Sequence, residues 1–103
     1  MILEIAQLQV RPGQGAAFEA AFAEAQRIIS SMSGYLGHEL QRCLERAGHY
    51  MLLVRWESVE AHEVGFRQSP EYQDWRRLLH HFYDPFPTVL HYECIAGPEP
   101  RTG

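Results

Sequence analysis

Side chains that can accept a proton or stabilise an anion are concentrated in the second half of the chain. His62 and Phe66 lie four residues apart, a spacing that places both on one face of a helix. His91 lies within a strand-like segment. Because histidine titrates near neutral pH, His91 and His62 are both candidate general bases. The remaining candidates are the cationic, phenolic and aromatic side chains that follow Phe66 in sequence: Arg67, Tyr72, Trp75 and Arg76.

Each of these residues also has a purely structural interpretation. A histidine on a half-apolar strand can be a hydrogen-bonded interior or interface residue. Tyr72 and Trp75 have the spacing of a helix face and can simply belong to the hydrophobic core. Arg67 can cap the short helix or pair with Glu63, four residues earlier. The sequence alone leaves both interpretations open.

Known metal and nucleotide motifs are weak in this chain. His80 and His81 are adjacent, and neighbouring side chains of a regular helix point about 100° apart, so they cannot chelate one ion. Cys43 and Cys94 are far apart and lack a CxxC spacing, which argues against a disulfide framework or a zinc ribbon. Free cysteines in strand-like segments are expected to be buried. Gly13-Gln14-Gly15 opens a helix but lacks the third glycine of a dinucleotide-binding loop. We therefore expect no bound cofactor and no metal.

Composition and charge narrow the class of protein. The 103 residues carry a net charge of −4, and all nine cationic side chains are arginine. No basic stripe is present that could neutralise nucleic-acid phosphates. The N-terminal residues contain neither a basic segment nor an apolar run long enough for a signal peptide or a membrane span. We expect a cytoplasmic protein that binds neither nucleic acid nor membrane.

The periodicity of apolar residues predicts a ferredoxin-like βαββαβ order, which is an α+β fold with an antiparallel sheet and helices on one face. Ser58 and Ser69 are predicted helix N-caps, and Pro70 then occupies the first helical position. The strands are apolar on both sides, so a second copy of the chain is expected to cover the helix-free face. The predicted strands are 2–10, 35–45, 50–56 and 88–96. The predicted helices are 14–32, 58–68 and 70–83. These elements form one domain of residues 1–96, which a flexible tail, 97–103, follows.

Three short motifs resemble the antibiotic biosynthesis monooxygenase family. They are IAQLQVRPG at residues 5–13, WES at 56–58 and SPEY at 69–72, and the resemblance extends over about residues 1–95. It implies a dimeric α+β barrel, a homodimer in which each protomer has a pocket between its helices and its sheet. It also implies oxidation of a small phenol or hydroquinone by O₂ without a bound cofactor.

The resemblance gives the candidate residues specific roles. A cofactor-free oxygenase needs a base to ionise a phenolic substrate and donors to stabilise the oxyanion. His91 or His62 is then the base, and Arg67 or Tyr72 is the oxyanion partner. Substrate-binding positions are Phe66, Trp75 and Arg76. A non-catalytic dimer that binds a small aromatic metabolite would use the same pocket without needing a base.

Haem degradation is the third function found in proteins that resemble this chain. That branch has an asparagine on the first strand and a tryptophan and a histidine in the second helical region. This chain has Ala6, Gly65 and Arg76 near those places, which disfavours haem degradation. Many family members also carry a histidine where this chain has Phe66, so a role assigned to that histidine does not transfer.

Overall fold

A computed structural model describes residues 1–97, so the predicted tail lies outside the described residues except for Gly97. A π-helical segment and a 3₁₀ turn flank the second α-helix. The elements in chain order are β1 (Ile2–Gln9), α1 (Gly15–Ser30), β2 (Tyr35–Arg42), β3 (His49–Trp56), the π segment (Ala61–Phe66), α2 (Pro70–Leu79), the 3₁₀ turn (His80–Phe82) and β4 (Val89–Tyr92).

The four strands form one antiparallel sheet in the order β2-β3-β1-β4. This order confirms the predicted ferredoxin-like α+β fold, because the two outer strands, β2 and β4, are each linked through a helix to a central strand. β1 lies in the centre, and its Glu4 pairs with Val54 on β3 and with His91 on β4. The register therefore brings residues from three distant parts of the sequence to one place.

The core lies between the helices and one face of the sheet. Alternate residues of a strand face the same side, and Leu8, Leu52, Val54 and Trp56 are all buried on the helix side. From α1, the buried residues repeat at helical spacing: Phe18, Phe22, Ala25 and Ile29. The apolar face of α1 is thus the face that packs on the sheet.

The last strand is shorter than predicted. It spans four residues because Tyr92 pairs with Leu3, near the beginning of β1, and β1 has almost no residues left to pair with the following ones. Cys94 lies beyond this point and is exposed, while Cys43 follows β2 and is partly buried. The expectation that both cysteines are buried is wrong, since each lies outside the sheet.

The connection from β3 to α2 contains an unusual helical turn. Its backbone N–H of Arg67 donates to the carbonyl of His62, a five-residue step that defines π geometry. The predicted caps on either side are confirmed. The hydroxyl of Ser58 accepts from the N–H of Ala61 at 3.1 Å, and that of Ser69 accepts from the N–H of Tyr72 at 3.2 Å.

The helix-free face of the sheet carries an apolar patch beside polar side chains such as Arg55 and Glu39. It carries the partly buried residues Leu3, Ile5 and Leu53, together with Leu90 and Tyr92, which are 53% and 47% exposed. None of the helices in residues 1–97 combines the length and apolar character that crossing a membrane requires.

Gly34 is expected to be essential for the close packing of the π segment against the turn before β2. Its φ is +85°, and a Cβ at this position would lie 2.6 Å from the Cβ of Ala61, the first residue of that segment. Gly34→Ala should lower the free energy of unfolding by about 1–3 kcal/mol or more, from backbone strain and the clash. Urea unfolding measures this effect. Gly37→Ala is the control, because its Cβ would meet nothing within 4 Å, and an equal loss in both variants would contradict the explanation.

Candidate functional site

A small cavity lies between the sheet, the π segment and α2. Its volume is about 50 Å³. Most of its wall is apolar or aromatic, and the polar side chains that line it are Glu4, His62, Arg67 and His80. The aromatic side chains are Phe66, Tyr72, Trp75, Tyr83 and Phe86.

Glu4 is a buried carboxylic acid on the central strand. It is 5% exposed and lies on the same face of β1 as Ala6 and Leu8, which also line the cavity. The indole N–H of Trp56 donates to its Oε1 at 2.8 Å. Burial raises the pKa of Glu4 to about 7, although the Trp56 hydrogen bond and the charge of Arg67 act in the opposite direction. Little energy therefore separates its two protonation states near neutral pH.

His62 lies directly against this carboxyl group. It is 4% exposed and stacks on Trp56, with ring centroids 5.4 Å apart and an interplanar angle of 22°. Its Nε2 is 3.3 Å from Oε1 of Glu4, and its Nδ1 is 2.8 Å from Nε2 of His91. Burial, followed by the charges of His91 and Arg67, lowers the pKa of His62 to about 3. The ring is therefore neutral at pH 7, and both of its nitrogens already have partners.

His91 and Glu63 continue the series of polar contacts that begins with Glu4 and His62, and they lead it to the protein surface. The side chain of His91 is 19% exposed, and its Nε2 is 3.7 Å from Oε1 of Glu63. The other oxygen of Glu63 pairs with Arg67 at 3.6 Å. One donor atom from each of His62, Glu63 and His91 lies within 4.8 Å of the other two, so these three residues could hold a metal ion.

The mouth of the cavity is formed by exposed or partly exposed side chains: Arg67, Tyr72, His80 and Phe86. The guanidinium carbon of Arg67 lies 6.0 Å from the ring centre of Tyr72, whose hydroxyl is 3.5 Å from Nε2 of His80. The ring of Phe86 is 4.9 Å from that of His80, edge to face, and Phe86 is 60% exposed. Burial lowers the pKa of His80 to about 4, and the charges of Arg76 and Arg67 act in the same direction.

The structure brings most of the sequence-predicted site residues together. His62, Phe66, Arg67, Tyr72 and Trp75 line the cavity. The structural interpretations hold as well, since Trp75 also packs against the α1 residue Phe22 in the core, and Arg67 does pair with Glu63.

Two predicted residues lie elsewhere. His91 reaches the cavity only through His62. Arg76 is exposed on the outer side of α2 and does not line the cavity.

Sequence reasoning missed Glu4, His80 and Phe86. A signal for Glu4 was present, because it has the same strand parity as Ala6 and Leu8 and so occupies the buried face of β1. A carboxyl group in that position needs partners. His80 and Phe86 lie in turns whose course could not be deduced from periodicity.

The chain belongs to a known family of proteins, because residues 1–78 match the family model for antibiotic biosynthesis monooxygenase. The Bacillus subtilis protein YczJ, which is uncharacterized, is 50% identical over 95 residues, covering 92% of this chain and all of YczJ. A solved structure from Bordetella bronchiseptica, assigned to the same family without an established activity, has 39% identity and a TM-score of 0.88 over 92% of this chain and 97% of that one.

Two more distant proteins have names that state an activity. SnoaB of Streptomyces nogalater, a cofactor-independent oxygenase whose structure was solved for a mutant form, has a TM-score of 0.81 at 17% identity, covering 95% of this chain and 97% of SnoaB. That identity supports a shared fold only. The mycobilin-producing heme oxygenase of Mycobacterium tuberculosis is 29% identical over 63 residues, covering 61% of this chain and 60% of that enzyme.

Protonation of His80 is expected to weaken the folded state in mild acid. Its folded pKa of about 4 lies below the ordinary value of 6.5, so between these pH values the unfolded chain binds more protons, and stability falls as the pH falls. His80→Gln should reduce this loss when urea unfolding is compared at pH 7 and pH 5. The exposed neighbour His81→Gln is the matched control. The same pH dependence in His80→Gln as in the parent would contradict the expectation.

Proposed function

We propose that the protein is a cytoplasmic, cofactor-independent monooxygenase that oxidises a small phenol or hydroquinone with O₂. For a phenol, a ring C–H becomes the second carbonyl of a quinone, one oxygen atom of O₂ enters the product and the other leaves as water. The substrate itself supplies the electrons. The observation that carries the proposal is the buried carboxyl group of Glu4 at the inner end of an aromatic cavity.

Glu4 is the proton acceptor in this proposal. A phenol becomes reactive toward O₂ when it ionises, because the phenolate releases an electron more easily. Glu4 lines the cavity, and Trp56 and His62 hold its carboxyl group in place. His62 also lines the cavity, but both of its ring nitrogens are engaged, and His91 does not reach the cavity. The two histidines therefore position Glu4, and the base is a residue that the sequence alone did not indicate.

Arg67 and Tyr72 stabilise the phenolate in this proposal. Both line the cavity near its mouth, and the guanidinium and the hydroxyl are each able to donate to an anionic oxygen. Phe66 and Trp75 form the flat walls against which an aromatic ring packs. The apolar surroundings keep water away from the reduced oxygen species.

The cavity must widen to admit a substrate. A volume of about 50 Å³ suits one or a few water molecules, whereas an aromatic ring needs on the order of 150 Å³. Phe66 and Trp75 are buried and packed, so the inner wall is fixed. Phe86 is 60% exposed at the mouth. Its outward movement opens the cavity without disturbing the core.

Replacing Glu4 tests the proposed chemistry. We expect the purified protein to consume oxygen with a member of a panel of hydroquinones and naphthols, with no cofactor added. Glu4→Gln should lower the rate about a hundredfold or more, the typical contribution of a general base. The amide can still accept the Trp56 hydrogen bond, so the variant should fold. An oxygen electrode measures the rates, and Glu24→Gln, at an exposed position on α1, is the control.

The oxygen-uptake experiment also distinguishes a catalytic oxygenase from a non-catalytic binding protein. If Glu4→Gln consumes oxygen as fast as the parent, Glu4 is not the base. If the panel gives no oxygen uptake but raises the melting temperature, the protein is a non-catalytic binder of small aromatic compounds. Haem is included as a further ligand, because of the similarity to a heme oxygenase. Ala6, Gly65 and Arg76, together with the small cavity, argue against haem degradation.

A second copy of the chain completes the proposed assembly. The helix-free face carries Leu3, Ile5, Leu53, Leu90 and Tyr92, and no element of residues 1–97 covers it. An uncovered apolar patch of this kind is stabilised by pairing with the same patch of another protomer. We propose a homodimer in which the two sheets face each other.

Leu53→Asp tests the assembly. It places a carboxylate on the helix-free face, where a two-fold axis would bring it near its own copy, so the dimer should dissociate. Light scattering after size exclusion should then give the mass of one chain, 11.9 kDa, instead of twice that value. Val59→Asp changes an exposed residue on the helical side and should leave the dimer intact. A parent protein that is already monomeric would refute the proposal.

A further inference from the structure

Three side chains with the chemistry of transition-metal ligands lie close together near the protein surface, on the side of the His62 ring that faces away from Glu4. They come from the π segment, which supplies His62 and Glu63, and from β4, which supplies His91. We propose that Nδ1 of His62, Nε2 of His91 and a carboxylate oxygen of Glu63 form a binding site for one divalent transition-metal ion, with Zn²⁺ the best-suited ion. The proposal does not depend on the oxygenase reaction.

The two histidine nitrogens, and the Glu63 oxygen with the nitrogen of His91, are spaced close to what a metal needs. Ligands placed tetrahedrally at about 2.0–2.1 Å from zinc are about 3.3 Å from one another. The two imidazole nitrogens are 2.8 Å apart, and His91 Nε2 is 3.7 Å from Glu63 Oε1. All three donor atoms lie within 4.8 Å of one another. Binding therefore requires the two rings to separate by about half an ångström and the carboxylate to approach His62 by at most about 1.5 Å. In the metal-free protein the two nitrogens share one hydrogen bond, and the ion would replace its proton.

The π geometry helps two adjacent residues to serve one ion. Side chains of neighbouring residues diverge by about 100° in an α-helix, but by less in the wider π turn. The glutamate side chain also has more rotatable bonds than a histidine. Glu63 can therefore reach the nitrogens of His62 and His91, which the neighbouring pair His80–His81 could not do from a regular helix.

The surroundings of His62 resemble those of a metal-bound histidine. A ligand histidine usually donates its second ring N–H to a carboxylate, which fixes its tautomer and orientation. The Nε2 of His62 is 3.3 Å from Oε1 of Glu4, and Trp56 anchors that same oxygen with its indole N–H. Stacking on Trp56 fixes the plane of the ring. The first ligand is thus held rigidly in the metal-free protein.

Charge and access also suit a divalent cation. Glu63 supplies a negative charge, and its Oε1 faces His91 while its Oε2 pairs with Arg67. The charge of Arg67 opposes binding, but that side chain is exposed and can turn toward solvent. Glu63 and His91 are partly exposed, so an ion can enter from outside, and a water molecule can supply the fourth ligand.

Zinc titration of the chelator-treated, tag-free protein tests the site. We expect one Zn²⁺ to bind per chain by isothermal titration calorimetry, and Co²⁺ to produce visible absorption bands from a nitrogen- and oxygen-ligated ion. His91→Gln and Glu63→Gln should each weaken zinc binding at least tenfold. Both side chains are partly exposed, so these variants should keep the parent circular dichroism. Glu4→Gln should weaken binding by about 10–100-fold through His62.

His81→Gln is the control for adventitious binding to surface histidines, and it should bind zinc as the parent does. The proposal is overturned if the parent binds no stoichiometric zinc, or if His91→Gln and Glu63→Gln bind it with unchanged affinity. No substrate is needed for these measurements. A failure of the metal site therefore leaves the oxygenase proposal intact, and the reverse also holds.

Discussion

A carboxylic acid buried in the centre of the sheet constrains the rest of this structure. Glu4 is on the middle strand and only 5% exposed, and an ionised or unpartnered carboxyl group in such a place is strongly destabilising. It is tolerated because Trp56 donates to it and His62 lies at 3.3 Å. Loss of either partner would leave a buried polar group unsatisfied, so both must be held in position by the fold.

The fold provides that positioning through three separate devices. Trp56 is at the end of β3, where antiparallel pairing with β1 places it near Glu4. His62 depends on the π turn, which Gly34 allows to pack closely against the start of β2. His91 depends on the register of β4, which pairs it with Glu4 directly. Four residues are enough for β4 to position His91, because His91 lies within the stretch that pairs with β1.

The sequence predicted the parts of this arrangement that follow from local periodicity. The four-residue spacing of His62 and Phe66 and the Ser69-Pro70 cap are local features, and both residues of the pair do line the cavity. The contact between His62 and His91 joins positions 29 apart, and it depends on strand register, which periodicity does not specify. Glu4 was missed because strands were identified by their apolar residues, and a charged residue on the buried face looks like an interruption.

His62 couples the two proposed sites through its tautomer. A metal ion bound at Nδ1 would leave the ring proton on Nε2, 3.3 Å from Oε1 of Glu4, where it would favour the ionised carboxylate. Without the ion, the proton shared with His91 can be on Nδ1, and Nε2 can then accept from a protonated Glu4. A metal ion at the outer edge of the sheet would therefore influence whether the Glu4 carboxyl group that faces the cavity is ionised or protonated. This connection follows from the hydrogen bond of one buried imidazole to His91 and from its 3.3 Å contact with Glu4.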